Sequence, residues 1–217
     1  MKKIIIAALL LVGFSWNISY ADTQTPEEYV TATFEEIKTL INADVTELKR
    51  LHDFLPFMKR NVDIEFLVES LFFSRTRKMK WAESSAEEKA EAFKLMTTYM
   101  SMLYLQNFEA VSGDSVIQIL DVETTNDLVI VKTKVEFSDI LFSADDIEVK
   151  FQLGKLGDSF IIQDIQVSLG DDDYTSVVGV MRSSYRRQTA KGVSHFITKL
   201  SMQLDEILKE FNESPYA

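Results

Sequence analysis

Two histidines, His52 and His195, are the side chains in this sequence whose ordinary protonation range lies near neutral pH. Neither stands beside a recognisable nucleophile, and no G-x-S-x-G motif is present to support acyl transfer by a serine. His195 is interpreted as a polar-face residue of a helix. The sequence therefore favours a protein that is not an enzyme. An enzyme that uses a pair of carboxylates stays open as an alternative, because the chain has 34 acidic residues.

The acidic run Asp171–Asp173 is the feature most suggestive of a metal. A calcium loop of the EF-hand type that began at Asp171 would need glycine at its sixth position and glutamate at its twelfth, where Ser176 and Arg182 stand. A zinc site lacks ligands, since the chain has no cysteine and only two histidines. We therefore predict no metal and no cofactor, and interpret the aspartates as a solvated turn that caps a helix.

Two short basic clusters, Arg75–Lys80 and Arg182–Lys191, interrupt an otherwise acidic chain. Clusters of this kind are usually solvated faces, but two in one acidic protein could bind an acidic partner or a ligand headgroup. The chain as a whole has a net charge of −11. Such a charge argues against nucleic acid, or an anionic membrane surface, as a standing partner.

The first 21 residues predict export. Lys2 and Lys3 precede an apolar run, and small residues Ser19 and Ala21 follow it, which is the pattern of a secretory signal cleaved after Ala21. Removing this segment, which holds two lysines and no acid, leaves 21 basic and 34 acidic residues, a net charge of −13. A protein without cysteine fits the bacterial periplasm, although an extracellular destination stays open.

The predicted fold is organised around a long helix from Ser85 to Phe108. Ser85 and Glu88 can form a capping box at its start. Apolar residues then recur every three or four positions, and we predict that a sheet covers this stripe. The stripe consists of Ala90, Phe93, Met96, Met100, Leu103 and Tyr104.

Three helical segments are predicted before the central helix. The first begins at Thr25 with a second capping box. The second begins near Glu47, and Pro56 is expected to mark its end or a kink. The third run follows Asp63 and continues through the basic stretch to Trp81.

After residue 113 the apolar period changes to two, which predicts strands over 114–122, 126–137, 147–153 and 159–167. A hairpin is predicted at 154–158, and helices return after the acidic run and again after Gly192. The sequence thus predicts one α+β domain over residues 22–217, expected to be a monomer. Its curved, antiparallel, four-stranded sheet is packed on one face by amphipathic helices that precede and follow it.

Several of these segments resemble the MlaC family of periplasmic phospholipid-binding proteins. The likeness rests on Val62–Phe66, Trp81, the Ser84–Lys89 link into the long helix, and the aromatic end of that helix, Tyr104–Phe108. It extends over roughly Tyr29 to Leu204. Two departures concern Arg77 and Lys78, where the family commonly has a Leu-Gly pair, and the three aspartates after the last strand.

The resemblance implies a soluble carrier that holds a phospholipid by its acyl chains between helices and sheet. It also implies partners: a membrane-bound ABC complex of the lipid-asymmetry and toluene-tolerance type, and a lipid complex of the outer membrane. The alternative is an adaptor of the same fold with a filled core. The expected lipid-binding residues share the layer between helices and sheet. They are Phe66, Phe93, Met96, Met100, Leu103, Val131, Val135, Phe137, Phe151 and Ile162.

Overall fold

The structure is a computed structural model, and it describes residues 24–107, 115–125, 128–136, 147–168 and 173–213. The predicted signal segment, residues 1–21, lies outside this part of the chain. In chain order the elements are α1 (Pro26–Ile41), α2 (Glu47–Asn61), α3 (Ile64–Leu71), α4 (Arg75–Glu83), α5 (Ala86–Asn107), β1 (Val116–Thr125), β2 (Leu128–Glu136), β3 (Ile147–Leu156), β4 (Ser159–Ser168), β5 (Thr175–Ser176), α6 (Val177–Ser184), α7 (Arg186–Lys191) and α8 (Val193–Glu213).

Local capping signals determine where two of the helices begin. At α1, the Thr25 backbone N–H donates to Glu28 Oε2 at 2.9 Å, and the Glu28 N–H donates to Thr25 Oγ1. At α5, Ser85 and Glu88 exchange the same pair of hydrogen bonds, each 3.1 Å long. Both predicted capping boxes are confirmed, because each satisfies amide groups that a helix start leaves unpaired.

Pro56 does not end or break α2, so the prediction of a helix end there is wrong. The helix continues past it to Asn61. Pro56 is exposed, and on that face solvent can satisfy the carbonyl group that loses its amide partner.

The helical run predicted from Asp63 to Trp81 is divided into α3 and α4. The chain leaves the helical path at Phe72, whose ring is fully buried between Trp81 at 5.1 Å and Phe196 at 5.9 Å. The break therefore places one large aromatic side chain in the centre of the helical layer.

The central helix α5 packs mainly against α8, α2 and α3, and not against the sheet as predicted. Its buried residues occupy more than one face and include Ala92, Met96, Tyr99 and Met102. The hydroxyl of Ser101 is buried as well, and it is satisfied by the Thr97 carbonyl. A helix surrounded in this way needs cover on several sides, which one sheet face could not supply.

The sheet is antiparallel, with strand order β1-β2-β3-β4-β5, and it confirms the predicted α+β class. Within the described residues it has five strands and not the predicted four. The additional strand is the two-residue β5, too short to show an alternating pattern, which pairs with Gln166 and Val167 of β4. The β3–β4 hairpin turns at Gly157, whose φ of 61° lies in the left-handed region that glycine adopts without strain.

The buried apolar residues form two separate clusters. The helical core is centred on Phe54, Phe72, Met96, Tyr185 and Phe196. The sheet core joins the inner face of β2, β3 and β4 to Tyr29, Val30 and Phe34 of α1. The site described next lies where these two cores face each other.

Candidate ligand-binding cavity

An apolar cavity of about 360 Å³ separates the helical core from the sheet core. This volume falls within the range of about 300–1,000 Å³ found for ligand pockets. The cavity draws side chains from both cores. It is lined by Thr33, Phe34, Ile37, Phe54, Phe57, Met58, Val62, Met100, Leu103, Tyr104, Val135, Ile147, Val149, Phe151, Ile162, Ile165, Val167 and Val177.

Helices α1, α2 and α5 form one wall. Phe57 and Met58 lie one turn after Phe54 on the inner face of α2. The helical period therefore brings all three to the cavity. Met100 and Leu103 contribute from the C-terminal half of α5. This wall is rich in aromatic rings, and its two methionines, Met58 and Met100, have unbranched chains that can adapt to an apolar ligand.

Strands β2, β3 and β4 form the opposite wall. Val149 and Phe151 alternate inward along β3, and their cross-strand partners Val167 and Ile165 lie beside them on β4. Ile162 and Ile165 are three residues apart and would point to opposite faces of a regular strand. A register shift between β3 and β4 turns both of them toward the cavity.

Hydroxyl groups are the polar side-chain groups on the described lining, contributed by Thr33 and Tyr104. Burial raises the pKa of the Tyr104 phenol, and the negative charge of nearby Asp164 raises it further. The phenol is therefore neutral at physiological pH. The described wall presents hydrocarbon and no charge, so it can enclose an apolar chain and supplies no general acid or base.

Asp164 fixes the edge of the cavity although its side chain does not line it. Its carboxylate accepts hydrogen bonds from Ser176 Oγ at 2.6 Å and from the Val178 N–H at 3.0 Å. These bonds tie the start of α6 to β4 and hold Val177 against the cavity. Sequence reasoning missed this residue, and the signal that marks it is that Asp164 is the single charged residue of β4.

The expected lipid-binding residues do not all lie at the cavity. Five of the ten line the cavity: Met100, Leu103, Val135, Phe151 and Ile162. Phe93 and Met96 pack in the helical core, and Val131 is buried in the sheet core. Phe66 is half-buried on α3 and does not line the cavity, and Phe137 lies outside the described residues.

Sequence reasoning missed the contribution of the first two helices. Both segments are predicted to be helices, but none of their residues is among the expected lipid-binding residues. The signal was present as amphipathic periodicity. That pattern identifies an inward face without telling whether the face meets protein or a space.

The two histidines lie away from the cavity. His52 is exposed on α2, with its Nδ1 atom 3.4 Å from Asp53 Oδ1, and His195 is exposed on α8. Asp171 and Asp172 fall outside the described residues. Within the ranges that the structure describes, no cluster of three acidic or histidine side chains could hold a metal ion, and no helix is long and apolar enough to cross a membrane.

Comparison with known proteins gives two findings. The sequence model of a family described as MlaC protein matches residues 29–202. A solved structure, a phospholipid-binding protein from Ralstonia solanacearum in complex with a phospholipid, is similar with a TM-score of 0.64 and 13% sequence identity. The similarity covers 87% of this chain and 99% of that one. At this identity the likeness shows a shared fold. No curated protein sequence matches this chain.

Proposed function

Because this chain belongs to the MlaC family, we propose that it is a phospholipid carrier that holds acyl chains in the apolar cavity. The observation that supports this most directly is the space between the two cores, lined on both sides by apolar side chains. The similar Ralstonia solanacearum protein, whose structure contains a phospholipid, supports the same choice of ligand.

The chemistry of the lining suits acyl chains. Each methylene group removed from water contributes about 0.8 kcal/mol, so apolar enclosure alone can supply the binding free energy. A phosphate-bearing headgroup would find no charged partner on the described lining. It would therefore remain outside the apolar cavity, in contact with water.

A carrier of this kind would work between membranes. We propose that the exported protein moves through the periplasm as a monomer and exchanges phospholipid with a membrane-bound ABC complex and with a lipid complex of the outer membrane.

The adaptor alternative requires a filled junction between helices and sheet. The cavity counts against it, because an adaptor gains nothing from leaving apolar side chains without packing partners.

Transfer of a fluorescent phospholipid between two vesicle populations tests the proposal. Wild-type protein should accelerate transfer, and Ile165→Trp should abolish the acceleration because the indole occupies the cavity. Ile161→Trp is the matched control: the same substitution on the same strand, at a residue that does not line the cavity.

Transfer at the wild-type rate by Ile165→Trp would contradict this location of the site. Failure of wild-type protein to accelerate transfer or to retain any phospholipid would contradict the carrier function itself.

A further inference from the structure

Acidic residues are absent from two long stretches of this acidic protein. Residues 70–82 and 174–204 contain no aspartate or glutamate, although the chain has 34 acidic residues. The fold brings the two stretches together. Arg182 Nε donates to the Ser70 carbonyl at 2.9 Å, and Lys80 Nζ donates to the Ala190 carbonyl. The result is a basic face built from α4, α6 and α7.

Among the residues that the structure describes, the cations of this face have no carboxylate partner. The ion pairs formed among the described residues lie elsewhere, on α1, α2, α5 and the sheet. Arg182 and Arg77 both approach the exposed ring of Phe73, at 5.7 and 4.7 Å from its centroid. Positive charge is therefore concentrated here without internal neutralisation, which favours an anionic ligand.

A second cavity, of about 630 Å³, opens within this face and is here called the basic cavity. It shares no lining residue with the apolar cavity. Arginine, serine and glutamine side chains dominate its wall. The lining consists of Arg77, Ser183, Ser184, Arg186, Arg187, Gln188 and Ala190.

Two buried polar atoms on the residues that line the basic cavity have no hydrogen-bond partner among the described residues. Arg77 is only 9% exposed, and its Nη1 atom is buried and unpaired. The Oε1 atom of Gln188 is likewise buried and unpaired. Leaving such groups unsatisfied is costly, and a small rotation of either side chain would turn it toward the cavity, where a ligand could offer an acceptor to the guanidinium and a donor to the amide oxygen.

We propose that the basic cavity binds the phosphate group of a hydroxyl-bearing organophosphate such as a glycerol phosphate. Guanidinium groups match phosphate oxygens in a two-point geometry, and the Ser184 hydroxyl adds a further donor. A hydroxyl group of the ligand would donate to Gln188 Oε1. The cavity is roomy enough for an esterified phosphate with its organic part. The phosphate could belong to a free metabolite or to a lipid headgroup displayed by a membrane.

Titration calorimetry with glycerol 3-phosphate tests the site. Wild-type protein should bind it saturably, and R77Q and R187Q should each weaken binding by about tenfold or more, as expected for loss of a charge-assisted hydrogen bond. R75Q is the matched control, because it removes the same charge from an exposed position of α4 outside the cavity. R187Q keeps the test valid if R77Q does not fold, since Arg187 is exposed.

Sedimentation with vesicles distinguishes the two sources of phosphate. With a headgroup as the source, wild-type protein should sediment with phosphatidylglycerol vesicles, not with phosphatidylcholine vesicles, and glycerol 3-phosphate should release it. With a free metabolite as the source, glycerol 3-phosphate should bind while the protein stays in the supernatant with both vesicle types.

Absence of saturable glycerol 3-phosphate binding would overturn the proposal, and so would equal weakening by R75Q and R187Q. Phospholipid transfer gives an independent readout: it should proceed at the wild-type rate in R187Q, because the apolar cavity is separate.

Discussion

The helical core and the sheet core differ in how completely they are filled. In the helical core, large rings interlock: Phe72 contacts Trp81 and Phe196, and Tyr185 lies 5.2 Å from Phe196. The inner face of the sheet instead carries mostly valine and isoleucine, such as Val149 and Ile165. These short side chains do not reach the part of the helical core that lies opposite them, and the gap that they leave is the apolar cavity.

The dense packing around Phe72 and the apolar cavity therefore occupy separate places in one layered fold. The ring cluster around Phe72 can stabilise the helices whether or not ligand is bound. The sheet face keeps part of its apolar surface available for a ligand.

The largest expected difference between the two cores is the loss of stability on substitution by alanine. Phe72→Ala removes a fully buried ring from a filled core and should lower the free energy of unfolding by about 3–5 kcal/mol. Phe151→Ala should cost about 1–2 kcal/mol less, because that ring already borders a space and loses fewer contacts. Urea denaturation of lipid-free protein measures both. Equal losses would show that the two cores are equally filled.

Stability should also fall at alkaline pH. Burial raises the pKa of Tyr29 from 10.0 to about 12, and its hydroxyl donates to the Asn61 carbonyl at 3.1 Å, joining the sheet core to α2. Above pH 10 the unfolded chain loses this proton while the folded protein keeps it. The free energy of unfolding therefore decreases from pH 10 to about 12, by roughly 2–3 kcal/mol from this residue.

Urea titrations at pH 9 and pH 11 of wild-type protein and Tyr29→Phe test this linkage. The variant should be less stable at pH 9, because it lacks the hydrogen bond, and should lose less stability on going to pH 11. Burial also raises the pKa of Tyr104 and Tyr185, so the variant should retain part of the pH dependence. Identical pH dependence in the two proteins would contradict the role of Tyr29.

Enlarging a valine of the sheet should be tolerated only where the side chain faces the cavity. Val131→Phe inserts a ring into the filled part of the sheet core and should lower the free energy of unfolding by about 1–3 kcal/mol. Val167→Phe points into the cavity and should change stability by less than about 1 kcal/mol while reducing phospholipid binding. The comparison fails if Val167→Phe destabilises the protein as much as Val131→Phe does.

The smallest effect is expected in the methionine methyl signals. Met96 and Met100 lie one turn apart on α5, but Met100 lines the cavity and Met96 is buried in the helical core. On addition of phospholipid to methyl-labelled protein, the Met100 NMR signal should shift and the Met96 signal should move much less. Equal shifts would mean that the ligand reorganises the helical core, and no shift of Met100 would place the ligand elsewhere.

Those features of the fold that depend on local chemistry could be predicted from the sequence. Thr25 and Ser85 mark helix starts because their capping partners are three residues away, and alternation in β2 and β3 reveals a sheet with one apolar face. The break after α3 could not be predicted, because no proline or glycine marks it. It arises from the burial of Phe72 against residues that are distant in sequence.

Half of the expected site residues line the cavity. The sequence could not separate these from the others, because periodicity shows which face of an element is buried and not what lies against that face. The spacing of Met96 and Met100 shows that both lie on one face of α5. It does not show that the residues opposite this face differ between the two positions. Phe57 and Met58 look like ordinary helix interior until the fold places them opposite the sheet. Whether two apolar faces touch or leave a space depends on side-chain lengths across the gap.

The most direct test of the central claim is native mass spectrometry of the purified protein, followed by organic extraction and identification of any lipid. We expect wild-type protein to show an added mass that corresponds to phospholipid bound in the apolar cavity, and Ile165→Trp to lack it. A bare protein mass that stays unchanged after incubation with phospholipid vesicles would contradict the carrier function and favour the adaptor.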